Sequence, residues 1–169
     1  MSPLLSLLAN GPLAWGLAAC GLAQLSKLAI ELVLHGRWNP KVLIETGGMP
    51  SSHSALVTGT AAAIGWEQGF DAPLFALASA VAFVVMYDAS GVRRAAGKIA
   101  ARVNALPPSL WGDADGDRVP LKESLGHSRT EVLVGSLLGP AIALTGLALL
   151  GSPLQIAQGL GWFSALPQA

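Results

Sequence analysis

Four apolar runs, 13–34, 52–66, 73–90 and 128–150, dominate this chain, each bounded by glycine, proline or a polar cluster. A helix rises ~1.5 Å per residue, so about 20 residues cross the ~30 Å hydrocarbon core of a bilayer. Runs near that length leave few folds open. Only 12% of the 169 residues are charged, about half the share of an ordinary globular domain. That is too little polar surface to cover a water-facing sphere, and a mean hydropathy of +0.54 agrees. The expectation is an all-α, integral membrane helical bundle with about four to five transmembrane helices, forming one domain over residues 1–169.

The segments between the runs are informative. Pro3–Leu8 is apolar and stops at the turn signal Asn10-Gly11-Pro12. No basic start of a secretory signal precedes it, so it is read as part of the mature protein. His35–Pro50 reads as a loop, and Arg93–Asn104 has helical spacing and carries Arg93, Arg94, Lys98 and Arg102. Asp113, Asp115 and Asp117 alternate as in a calcium loop, but Arg118 stands where the loop glycine belongs and Ser124 where the closing Glu belongs, so a solvated loop is expected. The residues after 150 read as a weakly apolar tail. A net charge of zero argues against nucleic acid as a partner. A single cysteine, Cys20, excludes an intrachain disulfide, and with three histidines in no short-spaced cluster no metal site and no cofactor are expected.

If the four runs cross, Arg37, Lys41, Arg93, Arg94, Lys98, Arg102, Arg118 and Lys122 fall on one side, and the opposite side has no Lys or Arg. The positive-inside rule makes the basic side cytoplasmic. A site that gathers phosphate would collect the same residues.

Chemistry-bearing residues converge on that side. Gly47-Gly48-Met49-Pro50-Ser51-Ser52-His53 and Leu125-Gly126-His127-Ser128-Arg129-Thr130-Glu131 each set a histidine where a glycine-bearing segment gives way to an apolar run. Helix starts carry free amide donors and the positive dipole end, which suit an anion. Two histidines so placed can act as nucleophile and general acid around one phosphate. His127 and Glu131 are four apart, so on a helix the carboxylate would accept from one ring nitrogen and orient the other. Ser51, Ser52, Asp88, Arg93, Arg94 and Lys122 complete the cluster, the cations holding phosphoryl oxygens. Lys27, inside the first run, is four residues from Glu31. Two readings stay open for it: a structural ion pair with Glu31, or a cation reaching into the site.

Pro50-Ser51-Ser52-His53 resembles the Pro-Ser-Gly-His motif of the type 2 phosphatidic acid phosphatase and vanadium haloperoxidase superfamily, and His127-x3-Glu131 resembles its His-x3-Asp motif. With Tyr87-Asp88-Ala89-Ser90-Gly91-Val92-Arg93-Arg94 and Leu121-Lys122-Glu123-Ser124-Leu125-Gly126-His127, the chain looks like the divergent branch of that superfamily over about residues 13–147. The resemblance implies a phosphohistidine intermediate at His127, His53 as acid to the leaving group, Ser51 donating to phosphate and Glu131 in the orienting carboxylate's place. It departs from the superfamily in lacking Lys-x6-Arg-Pro, for which Lys27 and Arg37 are candidates at another spacing. Leu121 stands where an arginine is usual, so Arg93, Arg94 and Lys122 are the expected phosphate-binding cations. The function implied is a metal-independent membrane lipid phosphatase acting on phosphatidylglycerophosphate or phosphatidic acid. Undecaprenyl diphosphate is the next substrate in order, and a non-catalytic phospholipid-binding or transport protein is the alternative from another class.

Overall fold

The computed structural model describes residues 2–43, 47–107, 110 and 119–162, apart from the side chain of His35. The aspartate run at 113–117 lies outside the described residues. Within them the chain is helical and no strand occurs.

Each helix begins where its sequence supplies a cap. Ser2 caps α1 (Pro3–Leu8), and the Asn10 side chain accepts from Leu13 N–H to open α2 (Gly11–His35). Gly36, in the left-handed region at φ 62°, ends α2, and a single 3-10 turn follows at Pro40–Leu43. Ser51 caps α3 (Ser52–Gln68), and Pro73 opens α4 (Pro73–Ser90) at a position where its missing N–H costs nothing. Gly91 interrupts the path into α5 (Val92–Asn104). Reciprocal capping boxes start α6 (Arg129–Leu150), from Ser128 and Glu131, and α7 (Pro153–Gly159), from Ser152 and Gln155. The tail expected after residue 150 is thus partly helical, and the signal was Ser-x-x-Gln behind a proline.

Three helical stretches, 11–34, 73–104 and 129–159, each contain a segment long and apolar enough to cross a membrane; in the second it lies chiefly in α4, because α5 carries four cations. Their large side chains point outward: Leu17, Leu25, Val33, Phe83, Val84, Leu137 and Leu149 are all exposed. Outward-facing apolar side chains with small ones inside are what a lipid solvent requires. The protein is an integral membrane protein. α3 was expected as a fourth crossing. At 17 residues it falls short of that measure, and it forms the centre of the bundle, packed on α2, α4 and α6. A helix enclosed by protein needs no lipid-compatible surface, so it holds small and hydroxylated residues where the others hold Leu and Val.

Those small residues set how near the helices come. A Cβ at Gly139 would strike the Ala55 carbonyl, and one at Gly135 would strike the Ser51 carbonyl. Gly59 lies 3.0 Å, from the position its Cβ would take, to the Gly139 carbonyl. α3 and α6 therefore cross backbone to backbone along Ser51, Ala55 and Gly59 facing Gly135 and Gly139, a small-xxx-small stripe on each side. At the far end Trp15 Nε1 donates to the Gly151 carbonyl at 2.8 Å, and its ring lies over Gly146. Phe70 and Phe75 meet edge to face at 5.2 Å beside the α3–α4 turn. α3 and α6 both start at the opposite end, where α2 and α4 finish.

Candidate functional site

That end holds a hollow of about 50 Å³ lined by His53, Asp88, Arg93, Gly126 and His127, with Val85, Ala89 and Leu125 as its apolar walls. The two histidines come from the starts of two different helices. His53 sits in the first turn of α3, one residue inside the Ser51 cap. The Ser51 hydroxyl accepts from Ser54 N–H at 3.3 Å and from the Ser54 hydroxyl at 2.9 Å. Ser51 is fully enclosed, and Ser52 is buried next to it. Neither serine is among the residues lining the hollow.

His127 lies just ahead of α6, and its own N–H donates to the Ala89 carbonyl at 2.9 Å, which docks the segment on the end of α4. Gly126 allows that approach: its φ is +80°, and a Cβ there would collide with the backbone of Arg94. Behind it, the Asn104 side chain clasps the incoming chain through the Leu121 N–H and carbonyl and the Glu123 carboxylate. Gly97 lets α5 lie against the carbonyls of Glu123 and Leu125. His127 is buried, and its Nε2 has no hydrogen-bond partner among the described residues. Burial holds its pKa below the ordinary imidazole value, with the positive charges of Lys27, His53 and Arg93 adding to the effect and Glu131 opposing it.

Glu131 departs from expectation. α6 begins at Arg129, so His127 precedes the helix and the four-residue spacing does not bring the two side chains onto one helical face. The Glu131 carboxylate accepts from Ser128 N–H at 3.2 Å while Ser128 Oγ accepts from Glu131 N–H at 3.2 Å. It acts on His127 as a nearby charge and as the residue that fixes the helix start beside it.

The cations divide. Arg93 lines the hollow and is ion-paired with Asp88. Lys27 is buried within α2 at 4% exposure, beside Gly48, and its charge reaches both histidines; the Glu131 carboxylate acts on it in turn. Lys27 is not among the residues lining the hollow, and both of its sequence readings stay open. Arg94, Lys122 and Arg37 are exposed and are not among the residues lining the hollow. For Arg94 the reason is helical phase: it follows Arg93 by one residue and so points away from it by roughly 100°.

Comparison with known proteins settles the lineage. The profile of the Divergent PAP2 family matches residues 8–142. The chain belongs to that family. All the motif segments above fall inside the matched stretch. The "Uncharacterized membrane protein YuiD" of Bacillus subtilis (strain 168) is 37% identical over 151 residues, covering 83% of this chain and 96% of the relative. No solved structure matches. In this Divergent PAP2 member, sequence reading missed the Ser128–Glu131 capping box, although Ser-x-x-Glu ahead of an apolar run announces one. It also missed the glycine stripe on α6, which the four-residue spacing of Gly135 and Gly139 displays.

Proposed function

We propose that this protein is a metal-independent membrane lipid phosphatase that works through a phosphohistidine at His127. The observation that carries the reading is the shared hollow: His53, His127 and Arg93 line it together, and His127 Nε2 is buried with no hydrogen-bond partner among the described residues. A buried nitrogen with no acceptor or donor to meet is uncommon in a folded chain and is accounted for by a ligand that completes it.

In the proposed reaction, neutral His127 attacks phosphorus from Nε2, its proton residing on Nδ1. The N–P bond forms as the bond to the lipid alcohol breaks, and His53, protonated, gives its proton to the leaving oxygen. Water then attacks phosphorus, His53 takes the proton, the N–P bond breaks and inorganic phosphate leaves. Arg93 and Lys27 balance the charge on the phosphoryl oxygens, with the Ser51 hydroxyl and the α3 start as further donors. Glu131 positions His127 by capping α6.

A hollow of about 50 Å³, at about 10–15 Å³ for each water-sized group, suits one phosphoryl group. Phosphatidylglycerophosphate or phosphatidic acid therefore fits ahead of undecaprenyl diphosphate. The concentration of Lys and Arg on the site's side supports a cytoplasmic-facing site in the plasma or inner membrane. The test supplies purified protein in detergent, chelator present, with these lipids. Phosphate release that disappears in His127→Ala and is blocked by vanadate supports the enzyme. Tight binding of the lipid with no release in wild type would replace it with a binding or transport protein.

A further inference from the structure

α5 presents three stripes, and the proposed reaction uses only one. Arg93, Gly97, Ala100 and Asn104 share a face by their spacing, and this face meets the protein: Gly97 and Ala100 are buried, Arg93 lines the hollow and Asn104 clasps the 121–123 segment. Arg94, Lys98 and Arg102, spaced four apart, make a second stripe, all exposed. Val92, Ala95, Ala96, Ile99 and Val103 make a third; Val92 and Ile99 are 61% and 60% exposed. No acidic residue lies on α5.

A basic stripe running beside an apolar one is the signature of a helix lying in the membrane–water interface. The chain places α5 at that level, because it continues from the spanning helix α4 with only Gly91 between them. A soluble polyanion would leave the Val92–Ile99 stripe in water. A lipid surface satisfies both stripes, the cations meeting headgroups and the aliphatic residues entering the acyl boundary.

We propose that α5 is an interfacial helix whose Arg94, Lys98 and Arg102 bind anionic phospholipid headgroups, at a surface separate from the catalytic hollow. The proposal does not depend on hydrolysis. Each cation near an anionic surface contributes about fivefold in association, an effect that salt weakens. In the test, full-length protein is reconstituted in nanodiscs of phosphatidylcholine with phosphatidylglycerol, and association of spin-labelled phosphatidylglycerol is compared with that of spin-labelled phosphatidylcholine. The expected result is an excess of the anionic lipid that falls with salt. It drops about fivefold in Lys98→Gln and disappears in Arg94→Gln/Lys98→Gln/Arg102→Gln. In a Cys20→Ala/Ile99→Cys protein, a fluorophore at residue 99 is quenched by brominated acyl chains. Equal association of the two lipids in wild type, unchanged selectivity in Lys98→Gln, or a residue-99 probe fully exposed to water would overturn it. So would heparin binding that is equally strong with residue 99 in water, which would assign the stripe to a soluble polyanion.

Discussion

The Ser51 backbone N–H donates to the Glu131 carbonyl at 3.0 Å, tying the residue that caps α3 to the first turn of α6. That bond joins the two helix starts that carry the histidines. Glu131 is bound at both ends, its carbonyl to the His53 segment and its carboxylate to the amide next to His127. Removing the side chain therefore loosens one histidine while leaving the backbone tie to the other. Glu131→Ala removes one of the two bonds of the capping box and is expected to cost about 0.5–1.5 kcal/mol, the net worth of one hydrogen bond, measured by thermal unfolding in detergent. Glu131→Gln keeps an acceptor at the third helical position and is expected to recover most of that loss.

Charge effects on His127 separate by sign. Its pKa lies below the ~6.5 of free imidazole, so the acid limb of kcat/KM is expected below pH 6.5. Lys27 pushes that pKa down and Glu131 pulls it up. Lys27→Met is thus expected to move the limb to higher pH, and Glu131→Gln to move it lower still. Titration of the His127 ring by NMR gives the same two directions. A shift in one common direction would mean that one of the two charges does not act as described.

The same displacement has a consequence for stability. Below about pH 6.5 the unfolded chain binds the His127 proton while the folded chain resists it. The stability linked to this group is fully present above that pH and is lost as the pH falls from the unfolded value toward the folded one. His127→Gln is expected to flatten the dependence in denaturation curves measured between pH 7 and pH 5.

Lys27 is expected to matter for phosphate itself. A charge-assisted hydrogen bond contributes about 1.5–3 kcal/mol, so Lys27→Met is expected to weaken vanadate inhibition by about 10–100-fold, with Lys27→Arg recovering part of the loss. Arg94→Gln and Lys122→Gln, outside the hollow, are expected to leave vanadate inhibition within a few-fold of wild type. Equal losses at Arg94 and Lys27 would return the cation assignment to the one drawn from motif order.

Packing at the crossing is expected to be unforgiving. Gly135→Ala and Gly139→Ala would each push a methyl group into an α3 carbonyl, and overpacking of this kind costs about 1–3 kcal/mol. The loss is read as a lower unfolding temperature. Gly135→Ala, against Ser51, is also expected to reduce activity in protein that remains folded, because it displaces the cap of the His53 helix.

Much of this was legible in advance. Apolar runs and caps located α2, α3, α4, α5 and α6 to within a few residues, since each begins at a Ser, Asn, Pro or Gly with a definite local role. The facing of His53 and His127 onto one end was legible from their two helix starts. The distribution of the cations was not. Arg93 and Arg94 are adjacent in sequence and look equivalent, yet the phase of α5 gives one to the hollow and the other to the surface. Lys27 lies far from both motifs in sequence, and only the packing of α2 against α3 brings it beside them. The capping role of Glu131 was not legible because the four-residue rule presumes a helix, and the helix begins two residues after His127.

The central claim is that His127 is the nucleophile and His53 the proton donor and acceptor, and a poor base as leaving group tests it most directly. p-Nitrophenolate departs without protonation, so His53→Ala should still be phosphorylated by p-nitrophenyl phosphate but hydrolyse slowly. The measurement is rapid-quench mass spectrometry of that variant after mixing with p-nitrophenyl phosphate. The account predicts an acid-labile phosphoryl group on the His127 peptide, accompanying a burst of nitrophenolate, and neither in His127→Ala. Turnover in His127→Ala equal to wild type, or a phosphoryl group on another residue, would contradict it.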